Sequence, residues 1–184
     1  LSRLNASDGM ATPLAQIEYD RMFSTLGGKP VHATLAMHWA RLIELLYSAE
    51  RCLELAEDPD IIGKELRTPS NGIVGEGVGI VEAQRGTLTH HYWTDKKGLV
   101  TKANIIVGTT NNNAAITMSI KKAAQGLIKK GVTVTDGILN MIEMAFRAYD
   151  PCFSCATHSL PGQMPMIVLI RDSQGNEIQR ISRK

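Results

Sequence analysis

A chain of 184 residues, 43% of them hydrophobic, has enough apolar surface for a buried core, as one domain or as the back half of a larger one. Its formal charge of +2 comes from 20 basic and 18 acidic residues dispersed along the chain, which excludes the basic footprint of a nucleic-acid partner or an anionic membrane surface. No apolar run approaches the roughly 20 residues that cross a bilayer and no charged-then-apolar leader opens the chain, so a cytoplasmic protein is expected. Only the tail is locally basic, at Arg171, Arg180, Arg183 and Lys184, which reads as a solvated end. The first residue is Leu1 rather than methionine, so a piece of something longer is expected.

Residues 1–12 read as loop, and Pro13 suits the first turn of a short helix over 14–26 with Thr12 as its cap. Gly27, Gly28 and Pro30 break it. Leu35, Trp39, Leu42, Leu46, Ala49 and Leu53 then recur at helical spacing, which predicts one buried stripe along a helix over 31–56, ended at Asp58-Pro59. Residues 60–77, rich in glycine and containing Pro69, predict an irregular surface connection. Stretches 78–82, 87–94 and 99–107 are β-branched and aromatic, and Asp95-Lys96-Lys97-Gly98 supplies hairpin chemistry between the last two, so a small antiparallel sheet is expected. A helix over 111–130 uses Ala115, Met118, Ala123 and Leu127 and stops at Gly131. Asp136 is expected to cap a last helix with Ile138, Ile142, Ala145 and Phe146 on its apolar face, ended by Asp150-Pro151. Stretches 164–171 and 177–182 predict a terminal hairpin. The fold class is therefore α+β: a long amphipathic helix, two shorter helices and a small antiparallel sheet.

Cys152 and Cys155 are spaced to grip one metal ion with two thiolates, and His158 is placed to add a third ligand. An odd cysteine count with this pair suits a metal or redox site in a reducing compartment better than a disulfide framework. Three other readings stay open: half of a structural zinc site, a dithiol redox pair, and two buried cysteines without a role. Zinc needs a fourth ligand that no second pair supplies, and a thioredoxin-like pair opens a helix after a strand, whereas this one follows a helix. Cys52, in the middle of the long helix, reads as a small core residue. His32, His38, His90 and His91 read as packing or hydrogen-bonding residues.

The string Asp150-Pro151-Cys152-Phe153-Ser154-Cys155-Ala156-Thr157-His158 resembles the second cysteine motif of nickel-iron hydrogenase large subunits. Support comes from Glu76-Gly77-Val78-Gly79, Glu82-Ala83-Gln84-Arg85-Gly86, Thr89-His90-His91-Tyr92, Arg3-Leu4-Asn5 and His38-Trp39-Ala40-Arg41-Leu42. These resemble the cytoplasmic group that includes methyl-viologen-reducing and bidirectional, pyridine-nucleotide-linked enzymes.

The resemblance implies the carboxy-terminal half of the large-subunit fold, with Cys152 as a terminal nickel ligand and Cys155 as a bridge to an iron carrying cyanide and carbon monoxide. Soft thiolates suit such a nickel, and a terminal thiolate is basic enough to accept a proton when dihydrogen splits. It implies Asp150 as a carboxylate beside the site, Arg85 as a donor above the metals, and Thr109 as a hydroxyl toward a cyanide. His158 resembles the last residue of the mature subunit and a ligand of a second metal, magnesium or iron, with help from a carbonyl near Ile105. Gln84 and Gly108 stand where many relatives carry proline.

The family's first cysteine motif is absent, so the fragment is expected to hold no complete nickel-iron centre and to be inactive alone. Residues 1–158 would be the large-subunit part. Residues 159–184 resemble the extension that an endopeptidase removes between His158 and Ser159, which implies maturation chaperones as well. The implied partners are dihydrogen and an iron-sulfur small subunit, and exposed apolar surface at the missing interfaces would favour self-association. The rival readings are a non-catalytic, large-subunit-like assembly protein and a zinc-binding module.

Overall fold

Three helices supply most of one buried cluster. In the computed structural model, which describes residues 1–68, 72–129, 131–157 and 166–183, α1 (Ser2–Ala6) lies where the sequence reads as loop, and α2 (Pro13–Thr25) and α3 (Ala36–Glu57) follow. Leu4, Ala15, Tyr19, Met22, Phe23, Val31, Ala36, Ala40 and Ile43 form one buried cluster. The Tyr19 hydroxyl donates to the carbonyls of Leu4 and Ser7, at 3.2 and 2.7 Å, and Asn5 exchanges two bonds with the backbone of Val31. These bonds let so short a helix as α1 keep its place.

The buried face of α3 is only partly the predicted one: Trp39 and Leu46 pack against the cluster, but the rest of the stripe does not. Leu35, Leu42 and Leu53 are 54%, 63% and 62% exposed, whereas Ala36, Ala40 and Ile43 are buried. Small side chains let α2 approach closely, so the helix is covered on its alanine side and the leucines stay open. Cys52 is exposed too and is no core residue. The helix also begins five residues later than predicted, at Ala36 rather than residue 31.

Thr12 occupies the N-cap position of α2 without a side-chain capping bond of its own. Glu50 of α3 supplies it instead, accepting from the amides of Leu14 and Ala15 at 3.0 and 2.9 Å and from the Thr12 hydroxyl at 2.7 Å. Desolvation pushes the Glu50 carboxyl up, but these three donors together hold it below its ordinary value of 4.5. A carboxylate lowered on folding stabilises above its unfolded value, and that contribution goes as pH falls through the folded one. Acidification below 4.5 is thus expected to lower the protection of the Leu14 and Ala15 amides relative to their intrinsic exchange rates, and Glu50→Gln to do so at neutral pH. Protection at these amides that ignores both changes would remove Glu50 as the cap.

After a 3-10 turn (Pro59–Ile62), strands β1 (Glu76–Ala83), β2 (Gly86–Thr94) and β3 (Val100–Ile106) form the antiparallel sheet in the order β1-β2-β3. Glu76 and Gly77, read as loop, are thus strand. At the predicted turn Gly98 takes φ +80° and the Asp95 carboxylate accepts from the amides of Lys97 and Leu99.

The single helix predicted over 111–130 is two: α4 (Gly108–Asn111) and α5 (Asn113–Leu127), with Ile116 buried and Met118 71% exposed. Thr135 rather than Asp136 occupies the N-cap of α6 (Asp136–Arg147), accepting from the Ile138 amide, because the hydroxyl one residue earlier can reach that orphan donor. Leu139 and Ile142 are buried on its inner face. A one-turn helix, α7 (Phe153–Thr157), carries Cys155, and β4 (Met166–Arg171) pairs antiparallel with β5 (Glu177–Arg183). Mixed α and β elements agree with the α+β expectation, with more helices than predicted. Among the described residues no helix is long and apolar enough to cross a membrane.

Candidate metal centre

Arg85 sits in the two-residue turn that closes β1 onto β2, where Ala83 pairs with Gly86. With Gln84 rather than proline before it, the turn is held from outside. Arg3 donates to the carbonyls of Ala83 and Gln84 at 2.6 and 3.1 Å, and the Asn112 side chain donates to that of Arg85 at 2.8 Å. Glu44 grips the Arg3 guanidinium with both oxygens, at 2.9 and 2.8 Å. That hydrogen bonding raises the Arg3 value above its ordinary one, against the opposing effect of burial.

Gly108 at the start of α4 presses on the same turn. A Cβ there would lie 2.8 Å from both the carbonyl carbon and oxygen of Arg85, main-chain atoms with little room to give. Gly108→Ala is expected to cost about 1–3 kcal/mol in urea unfolding, as overpacking does. A cost near zero would mean that α4 does not bear on the Arg85 turn.

From this turn the Arg85 Nε donates to the Asp150 carbonyl at 2.6 Å and lies 3.0 Å from its Oδ2. Asp150 takes φ 50°, a region open to aspartate more readily than to most residues, and its amide donates to the Arg147 carbonyl as α6 ends. Pro151 then forbids more helix. The Cys152 amide donates to the Thr109 hydroxyl at 3.1 Å, and Thr109 is buried in α4. A hydroxyl that accepts this bond keeps its own hydrogen to donate. Phe153 packs edge-on against Phe146, rings 5.6 Å apart, which ties α7 to α6.

Arg85, Thr109, Asp150, Cys152 and Cys155 are therefore brought to one place from three parts of the chain. Cys152 is half-buried and Cys155 exposed. Their sulfurs are joined in a disulfide with the Cα atoms 5.3 Å apart, where the sequence suggests free thiols. A spacing of three across the start of a helical turn brings two sulfurs within bonding reach. Ligation needs the reduced, ionised pair.

No group of three or more His, Cys, Asp or Glu suited to a metal ion occurs among the described residues. The donor set fits two sulfur ligands of a shared ion, open on the Cys155 side, and not a closed site of four. His158 and Ser159 lie outside the described residues. His91 pairs with Glu76 and His90 with the Tyr92 hydroxyl, each at 2.8 Å, in the hydrogen-bonding roles expected of them.

A family model described as nickel-dependent hydrogenase matches residues 5–158. The chain belongs to that family. It is 50% identical over 181 residues to an F420-non-reducing hydrogenase iron-sulfur subunit of Archaeoglobus profundus, a match that covers 98% of this chain and 37% of that protein. It is 43% identical over 185 residues to the beta subunit of the NAD-reducing hydrogenase HoxS of Cupriavidus necator, covering 100% of this chain and 38% of the relative. The crystal structure of an NAD+-reducing [NiFe]-hydrogenase in the H2-reduced state superposes with a TM-score of 0.79 at 44% identity, over 85% of this chain and 34% of that one. The chain thus spans little more than a third of the length of these hydrogenase subunits and fits a carboxy-terminal part of the large one.

Sequence reasoning assigned no role to Arg41, Glu44 or Asn112, which act on the site from other elements. Arg3 and Arg41 stood within the family-like motifs, and that was their signal. Beside the turn lies a cavity of about 540 Å³ lined by Arg3, Arg41, Glu44, Arg85, Asn112 and Tyr149 among others.

Proposed function

We propose that this chain supplies the second half of the nickel-iron centre of a hydrogenase large subunit. Cys152 would be a terminal nickel ligand and Cys155 a bridge to iron, with the other two thiolates coming from outside these 184 residues. The observation that supports this best is the meeting of the sulfur pair with Thr109 and the Arg85–Asp150 clamp, since each contact fixes the backbone that presents the sulfurs. When bound, the centre would supply reversible oxidation of dihydrogen to protons and electrons. The chain's own part is to hold the sulfurs and keep Asp150 paired, with Thr109 as a hydroxyl donor and Arg85 as a cation beside them.

His158 would hold a second metal, magnesium or iron. Residues 159–184 would be a removable extension, cut before Ser159 by an endopeptidase once chaperones have delivered the metals. Intact-mass measurement of the chain recovered from assembled enzyme reads that cut. An iron-sulfur small subunit would take the electrons, and a cytoplasmic setting would keep the thiols reduced. Relatives named as NAD-reducing and as F420-non-reducing match the same stretch, which supports an acceptor chosen elsewhere. Exposed Leu35, Leu42 and Leu53 support burial against the rest of a longer protein, or self-association without it.

Half a ligand set should not retain the complete centre. Elemental analysis of the purified, reduced chain is expected to find less than stoichiometric nickel and iron. One of each per chain would overturn the division of the site.

A further inference from the structure

Asp150 is held by a second arginine. Arg41 reaches from α3 to the end of α6, where its Nη2 donates to the Ala148 carbonyl at 2.8 Å and its Nε lies 3.9 Å from Asp150 Oδ2. We propose that Arg41 is a positioning residue for the Cys152–Cys155 pair, acting through Ala148 and Asp150. The proposal rests on the reading of that pair as metal ligands.

Among the described residues, three outside groups bond the main chain from α6 to Cys152, Arg41 on Ala148, Arg85 on Asp150 and Thr109 on the Cys152 amide, while the Tyr149 side chain is tied separately to Ser119 and Ala115 of α5. Arg85 and Thr109 act at or after the left-handed residue. Arg41 alone of the three acts before it, on a carbonyl that the ending helix leaves without an intrahelical partner. Without that anchor the last turn can unwind or swing, and the left-handed Asp150 has less to hold it against its intrinsic cost.

The charge of Arg41 matters less than its fork. Both Arg41 and Asp150 are 39% exposed, so a pairing across 3.9 Å is screened by solvent, whereas the 2.8 Å bond is directional. Arg85 already sits closer to the same carboxylate. The role inferred is thus geometric: Arg41 sets where α6 ends, and the end of α6 sets where the sulfurs stand.

Thiol–disulfide exchange on the full chain reads this directly. Reduced dithiothreitol breaks the Cys152–Cys155 bond, each sulfur gains a proton, and the reagent closes to its cyclic disulfide. The equilibrium between the two forms measures how firmly the fold holds the sulfurs together. Arg41→Met is expected to shift it toward the dithiol by roughly three- to tenfold, the effect of one partly screened hydrogen bond to a charged donor. Hydrogen exchange at the Cys152 amide should quicken as well.

Arg41→Lys keeps the charge but offers a point donor that cannot serve both Ala148 and Asp150, so a smaller shift in the same direction is expected. Arg21→Met, on the exposed side of α2, should change neither reading. A folded Arg41→Met chain with the parental equilibrium overturns the proposal. If Arg41→Met does not fold, Arg41→Lys decides: a shift toward the dithiol sustains the role, and none overturns it. Nickel titration of the same reduced chains separates the two readings, since a parent chain that binds no nickel while the exchange shift persists sinks the metal assignment and leaves the role of Arg41 standing.

Discussion

In a Cys52→Ser background, Cys152→Ser should abolish the sulfur-to-nickel absorption band that the reduced chain develops on anaerobic titration with nickel. Affinity should fall by more than about 100-fold, since loss of an outer partner of a metal ligand alone costs 10- to 100-fold. Serine offers a harder oxygen that does not ionise near neutrality, whereas a thiol does so readily beside cations. The background change is needed because Cys52 is exposed and free to bind nickel on its own. The fold should survive, because the bond from Cys152 to Thr109 uses the backbone amide and not the sulfur. A band of undiminished strength in the Cys152→Ser chain would place nickel elsewhere.

Ile43→Ala should cost about 2–5 kcal/mol in urea unfolding, the range for deleting a buried aliphatic side chain. Ile43 is 1% exposed and packs in the cluster that joins α1, α2 and α3. A loss of that size is a large part of the roughly 5–15 kcal/mol that stabilises an ordinary domain. It should also reach the site, since the neighbouring Glu44 holds Arg3 and Arg3 holds the Arg85 turn. Leu42→Ala, one residue away, should stay within about 0.5 kcal/mol because Leu42 is 63% exposed. Equal costs at the two positions would mean that α3 buries the other face.

That pair of residues marks where sequence reasoning succeeded and where it did not. Helical periodicity located α3 correctly, because amphipathic spacing is a property of the chain itself. The start it predicts is five residues early, and of the predicted stripe only Trp39 and Leu46 pack against the cluster. Two adjacent faces of α3 are apolar, and α2 settled on the one whose small residues, Ala36 and Ala40, allow close approach. Cys52, read as a core residue, is exposed for the same reason: among the described residues its side of α3 is open.

The capping of α2 was likewise half visible. Pro13 and Thr12 mark the helix start, but the bonds come from Glu50, brought there only when α2 and α3 pack. At the site, contiguous residues were readable. Asp150 to Cys155 form one string with its own turn chemistry, and the structure adds Thr109 and Arg85 beside it. Arg41 on Ala148 spans a separation of 107 residues and Arg3 on Ala83 one of 80, and although family-like motifs contain both arginines, no local pattern announces the partner of either.

Short-range chemistry was therefore open to reading before any folding was known: proline and glycine punctuation, the Asp95 turn, the strand and helix periods, and a cysteine pair whose spacing brings its two sulfurs together. Such features depend on atoms a few bonds apart, and they are the same in any conformation that keeps the segment intact. Which helix face is covered, which carboxylate caps α2 and which arginines hold the path to Cys152 depend on surfaces that meet only after the chain has collapsed. These were settled by packing, because close approach and direct hydrogen bonds exist only between groups that the whole fold has already brought together.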